Sequence, residues 1–151
     1  MQKILTILLM LLFSVASSAD GKFKFLGSFD NVESNDTGHC YGISILVWEL
    51  DDMKTIGLLN VDMGLCGDSP CSIFVGTIAN EKITFETSAP IYDELYFFEG
   101  HISKTKLSGS LNGVNTTLIS NSFKQRYKNT QEWCSAWARV PRCHGVKEYC
   151  Q

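Results

Sequence analysis

Apolar and polar positions alternate with a period close to two along most of the chain, and short turn-forming runs break the alternation. KFKFLGSFDN (residues 22–31) puts Phe23, Phe25, Gly27 and Phe29 on one face of a strand. CYGISILVWEL (40–50) is a continuous apolar strand, DDMK (51–54) a turn, and TIGLLNVDM (55–63) the returning strand. CSIFVGTIA, ITFETS, LYFFEGHIS, KLSGSLNG and VNTTLISNSF follow between residues 71 and 123. This predicts about eight strands with no crossover helix, so the fold class is all-β, an antiparallel meander. Eight strands suffice to close a small barrel, or nearly close it, and closure removes exposed sheet edges.

One pattern is written twice. FVGTIANEKITF (74–85) and FEGHISKTKLSG (98–109) both read aromatic-x-Gly-x-Ile, three residues, then Lys and an aliphatic position. Phe74, Gly76 and Ile78 share a face in the first copy, as do Phe98, Gly100 and Ile102 in the second. Glycine inside a strand gives up side-chain packing, so it marks a bend or a close backbone approach. The repeat therefore predicts barrel curvature, with ANEK and SKTK as hairpin turns. The five inward phenylalanines, Phe23, Phe25, Phe29, Phe74 and Phe98, predict a filled interior.

The ends differ from this body. Lys3, an apolar run from Ile4 to Phe13 and the small residues SVASSAD have the three-part layout of a secretory leader, with Ser17 and Ala19 at the peptidase positions. That core is far short of the roughly 20 residues a membrane-spanning helix needs. The expected organisation is a leader over 1–19, a barrel domain over 20–123, and a helical, disulfide-rich tail over 124–151 docked on the barrel. In KNTQEWCSAWARVP, Asn129 and Thr130 can cap a helix, Trp133, Trp137 and Val140 recur at i, i+4 and i+7, and Pro141 stops it. So short a helix needs support from the barrel. Its two tryptophans either pack there or form a partner-binding hot spot.

Export changes how the six cysteines read. In an oxidising compartment an even count suggests three disulfides, and the paired spacings of a zinc site are missing. Cys66 and Cys71 bracket the turn-rich GDSP, which predicts a pair between them. Cys40 is then left to join one of Cys134, Cys143 and Cys150, tying the tail to the body, although six cysteines allow 15 connectivities. Charge points the same way. Residues 20–121 hold 6 Lys against 14 Asp and Glu, a net of −8; residues 122–151 hold 6 Lys and Arg against 2 Glu, a net of +4. The acidic body disfavours nucleic acid as a partner, and the basic tail is expected to settle on it.

Catalytic patterns are scarce. No Gly-x-Ser-x-Gly, His-Glu-x-x-His or phosphate-cradling glycine loop is present. His39 and His144 lie beside cysteines, a conceivable nucleophile pair, and His101 takes the outward place that Thr77 holds in the other copy. Asp30, Glu33 and Asp36 in DNVESND lack the ligand spacing of a calcium loop and read as a solvated acidic loop. Asn35 and Asn115 match the glycosylation sequon. No catalytic residue, metal or other cofactor is expected, and the chain reads as a non-enzyme.

From Phe23 to about Phe123 the sequence resembles small exported bacterial β-barrel-like proteins of unknown function. The carriers are an acidic loop, a glycine, a strand like GISILVW, and aromatic-x-Gly-x-hydrophobic hairpins. A weaker likeness is to the periplasmic lysozyme inhibitors, which are small disulfide-bearing β-barrels. Ser108 and Gly109 match their Ser-Gly loop, while Gly113 stands where those proteins have a tyrosine. The expectation is a periplasmic or secreted binding protein whose partner is another exported protein or enzyme, as for an inhibitor or immunity-type protein. The alternative is a lipocalin- or avidin-like carrier of a small ligand in the barrel mouth.

Overall fold

The structure, a computed structural model, describes residues 21–67, 69–88, 95–122 and 127–151. The leader expected over 1–19 and the boundary at 123–124 fall outside them. In chain order the elements are β1 (Lys24–Asp30), β2 (Glu33–Ser34), β3 (His39–Glu49), β4 (Lys54–Leu65), β5 (Cys71–Ala79), β6 (Lys82–Ser88), β7 (Leu95–Ile102), β8 (Lys106–Leu111), β9 (Val114–Ser120), α1 (Thr130–Trp137), β10 (Cys143–His144) and α2 (Val146–Tyr149). Strands β3 to β9 form an antiparallel meander, and β1 pairs with both β9 and β3, closing an eight-strand barrel. The two-residue β2 and β10 attach to β3 and β5 outside that circuit. The all-β barrel expectation is met; α2 is a second short helix beyond the one expected.

Tight hairpins set the register. Asp52 and Met53, Asn80 and Glu81, and Asn112 and Gly113 all have positive φ, the backbone that matches the twist of the flanking strands in two-residue turns. Alternation then sends one set of side chains inward. Phe29, Ile45, Val47, Leu59, Phe74, Ile83, Phe85, Phe98, Leu107 and Leu118 belong to a single buried cluster that fills the barrel. The Phe74 and Phe85 rings stack 3.9 Å apart, and Phe85 stacks on Phe98 at 5.2 Å.

The repeated glycines make that stack possible. A Cβ on Gly76 would run into the Thr84 carbonyl oxygen of β6 and come within 2.8 Å of Phe85 Cβ. A Cβ on Gly100 would meet the Ser108 carbonyl oxygen and sit 2.8 Å from Gly109 Cα and from the Phe98 ring. These are corners where neighbouring strands close in.

A second apolar cluster lies on the outside of the barrel. Leu46, Trp48, Ile56 and Leu58 alternate with the inward set on β3 and β4 and are buried under Trp133, Val146 and Cys143 of the tail. Trp48 and Trp133 are both wholly buried and meet edge to face at 5.8 Å. Phe23 and Phe25 were expected inside, and the structure moves them here, with ring centroids 6.2 and 5.1 Å from Trp48. The reason is a bulge: Phe25 pairs with Trp48 but Gly27 pairs with Val47, so Leu26 is the extra residue and turns inward. Of the three phenylalanines in this stretch only Phe29, beyond the bulge, keeps its inward place, as Phe74 and Phe98 do elsewhere.

All six cysteines form disulfides, but the Cys66–Cys71 pair and the Cys40-to-tail link are both wrong. The bonds are Cys40–Cys66, Cys71–Cys143 and Cys134–Cys150. Antiparallel pairing of β3 with β4 sets Cys40 opposite Gly64, two residues from Cys66, with a Cα–Cα distance of 5.0 Å. Cys71 opens β5 on the outer face, where β10 runs alongside and brings Cys143 opposite it at 4.3 Å. Cys134–Cys150 joins the segments of α1 and α2. The tail is tied to the barrel by Cys71. Among the described residues the ion pairs are Lys22 and Lys24 with Glu49, and none reaches the tail.

Candidate binding surface

Strands β3 and β4 have 11 and 12 residues, whereas β1, β6, β8 and β9 have 6 or 7. The excess emerges from one end of the barrel as a ribbon. There the inward row of β3 and β4 runs on past the core, so Tyr41, Met63 and Leu65, in phase with Ile43 and Val61, face solvent at 53%, 57% and 63% exposure. Strand β2 widens the ribbon to three strands. Glu33, Tyr41 and Met63 are successive register partners across it, a row running acidic, aromatic, thioether.

The tip is held in shape. Asn35 Oδ1 accepts from the backbone N–H of Thr37 and His39 at 3.1 and 3.0 Å and from Thr37 Oγ1 at 2.7 Å. The Cys66 amide donates to the Gly38 carbonyl at 3.2 Å, and the Cys40–Cys66 bond closes the end. Residues 31–41 and 62–66 contain no Lys or Arg, and Glu33 and Asp36 are exposed among them, whereas Asp62 is buried on the other side of β4. The acidic loop of the sequence reading thus becomes one border of an exposed apolar strip. Among the described residues no group of three His, Cys, Asp or Glu side chains is arranged to hold a metal.

The opposite end of the barrel has a mouth of about 450 Å3, lined by residues including Leu26, Glu49, Ile78, Glu81, Ile102 and Lys104. Below it the phenylalanine stack fills the interior. A larger cleft, about 680 Å3, lies open between Leu50–Lys54 and Lys128–Gln131.

The expected site residues are dispersed. Trp133 is wholly buried against Trp48 and Tyr149, which removes it from any partner surface; the burial is of the kind the packing alternative required. Its helix is capped as the sequence suggested, Asn129 Oδ1 accepting from the Glu132 amide at 2.9 Å. Trp137 is partly exposed. His39 contacts Thr37 Oγ1 through Nδ1 at 2.9 Å, and the neighbouring Cys40 is oxidised; His144 stands next to the bonded Cys143. With no free thiol, the Cys–His nucleophile pair is ruled out. His101 points outward on β7 and is exposed, opposite Ser108 and beside Glu99 and Lys82. No side-chain hydrogen bond joins these four to one another among the described residues, and they line a shallow depression of about 270 Å3. Burial pushes the Tyr149 phenol above its ordinary value of 10.

Sequence reasoning missed Tyr41 and Met63. The available signal was the length of the paired runs around DDMK, longer than any other hairpin arms in the chain. Ser108 and Gly109, the point of likeness to the lysozyme inhibitors, lie in the middle of β8, and Gly113 is in the turn to β9 at φ 81°. No family model matches the chain, and neither a curated protein nor a solved structure matches it.

Proposed function

We propose that the protein is an exported, non-catalytic binding protein that blocks another protein, a secreted enzyme being the favoured target class, through the tip of the β3–β4 ribbon. The observation that carries this reading is the exposed Glu33–Tyr41–Met63 row on a disulfide-closed support without Lys or Arg. Tyrosine offers a large contact area at low entropic cost and a face for a cation, and methionine adapts to irregular apolar surfaces. An acidic border favours a partner that presents Arg or Lys around an apolar contact, and it speeds encounter at low salt. Three disulfides fit an oxidising compartment, and no helix among the described residues is long and apolar enough to cross a membrane.

The test uses immobilised protein as bait in the exported fraction, comparing wild type with Tyr41→Arg/Met63→Arg and with Lys104→Glu at the other end. A cationic protein captured by wild type and Lys104→Glu, released by salt and lost in the double variant, is the expected result. Capture that ignores the tip substitutions would overturn the assignment. A small-ligand carrier using the 450 Å3 mouth is the second reading, since that volume lies in the usual range for ligand pockets. Capture lost only with Lys104→Glu, or a small molecule co-purifying with the protein, would favour it.

A further inference from the structure

On the outer face of the barrel, beside the tail, lies a cavity of about 190 Å3 lined by Ser44, Asn60, Asp62, Ser69, Trp137 and Arg142, together with Gly67 and Cys71. Strands β3 and β4 supply Ser44, Asn60 and Asp62, which alternation turns outward. The β4–β5 connection supplies Ser69; α1 and the approach to β10 supply Trp137 and Arg142. The Cys71–Cys143 bond fixes these pieces against each other. The site exists only because the tail is docked there.

Its polar groups are under-used. Asp62 is 9% exposed, yet its carboxylate accepts only from Ser69 Oγ among the described residues, and no Lys or Arg pairs with it. A carboxylate has two oxygens and can accept from several donors, so Asp62 has acceptor capacity to spare. Arg142 lines the same cavity, and Nη1 donates to the Gly67 carbonyl, but no ion pair joins it to Asp62. Asn60 Nδ2 donates to Ser44 Oγ at 2.9 Å, while its carbonyl oxygen has no hydrogen-bond partner among the described residues. The Trp137 indole N–H is buried and unpartnered among the described residues. Trp48 and Trp133 also have unpartnered indoles, but theirs lie inside the aromatic cluster. Asp62 and the indole N–H are the buried members of the set, while Arg142 is exposed and Asn60 partly so.

The geometry points to a binding site for a free α-amino acid with a small side chain, its ammonium on Asp62 and its carboxylate on Arg142. One carboxylate and one guanidinium facing a shared cavity without pairing to each other match a zwitterion, and bidentate recognition of a carboxylate is what a guanidinium does best. The cavity holds the equivalent of about six waters at ~30 Å3 each, which limits the ligand to a few heavy atoms beyond the backbone. Asn60 Oδ1 is a second acceptor for the ammonium.

The test is a titration of the full disulfide-bonded chain with glycine, read on the Trp137 indole N–H resonance and assigned with Trp137→Phe. A saturable shift is expected, weakened at least about tenfold by Asp62→Asn and by Arg142→Gln. N-acetylglycine, which lacks the ammonium, and glycine methyl ester, which lacks the carboxylate, are each expected to bind at least about tenfold more weakly to wild type. The half-ligand comparison decides the matter even if a variant fails to fold. No saturable shift up to about 0.1 M glycine, or half-ligands that bind as well as glycine, overturns the proposal.

Discussion

Replacing Cys71 and Cys143 together by serine should release the tail, whereas replacing Cys40 and Cys66 should not. The Cys71–Cys143 bond spans 72 residues. Chain-entropy arithmetic gives about 3 kcal/mol for a 15-residue loop and about 4.7 for a 100-residue one, so this bond is worth about 4 kcal/mol as an upper value. For a domain of this size 1 kcal/mol moves the melting temperature by about 4 °C, which sets the expected drop near 15 °C. What happens before global melting is more diagnostic. Without the bond, the tail is held by Trp133 and Val146 on Trp48, Ile56 and Leu58, with no ion pairs among the described residues to assist. It can then open while the barrel remains closed. Trypsin has Lys128, Arg139, Arg142 and Lys147 in the tail as reporters. The Cys71→Ser/Cys143→Ser variant should lose the tail quickly at temperatures where its β-sheet circular dichroism is unchanged. Cys40→Ser/Cys66→Ser, whose bond spans 26 residues within one ribbon, should lose stability but keep the tail protected. Equal tail protection in wild type and the Cys71 variant, with melting temperatures within a few degrees, would refute this account of what holds the tail.

Two further outcomes follow from local geometry. Glu81 sits at φ 65° beside Asn80 at φ 50°, so Glu81→Gly would install Asn-Gly, the preferred pair for that turn, and should stabilise the protein by about 1 kcal/mol in a urea titration; a lower midpoint would count against the turn. The Tyr149 phenol is pushed above 10 by burial, so its neutral form favours the folded state. That stability is complete below the unfolded value near 10 and is lost as pH rises through the higher folded value. The difference absorbance of wild type and Tyr149→Phe at the phenolate band should show a midpoint above 10, and a midpoint at or below 10 would contradict the packing against Trp133.

The meander and its closure were legible because period-two alternation and hairpin turns are local signals. Asn112–Gly113 and the run around Asp52 mark turns within a few residues of the strands they join. Glycines 76 and 100 announced close approaches because they recur in the same setting. The disulfides were not legible. Cys66 and Cys71 are neighbours in sequence, but strand β4 ends and β5 begins between them, and their partners are fixed by strand register and by where β10 lands. The bulge at Leu26 was hidden for a related reason: Phe23, Phe25 and Phe29 read as one face until an extra residue reverses two of them. The amino-acid cavity draws on residues 44, 60, 62, 69, 137 and 142, which no spacing rule brings together. Tyr41 and Met63 lay between these extremes, since comparing arm lengths would have shown the ribbon overshooting the barrel.

The arrangement of the disulfides also sets a kinetic hazard for the chain as it oxidises. Two of the native bonds span 26 and 16 residues and connect parts of the same local unit, whereas Cys71–Cys143 spans 72. In an unfolded chain short loops close more readily than long ones, and during synthesis Cys143 appears long after Cys66 and Cys71. The encounter that comes first is therefore the non-native one between Cys66 and Cys71, five positions apart. Once made, that bond occupies a cysteine from each of two native pairs, leaving Cys40 and Cys143 without partners. Pairing of β3 with β4 is the counterweight, because it delivers Cys40 to Cys66 without waiting for the rest of the barrel. A protein that folds the ribbon quickly keeps Cys71 free for the tail, and one in which the β3–β4 turn is slow will depend on thiol–disulfide exchange to recover it.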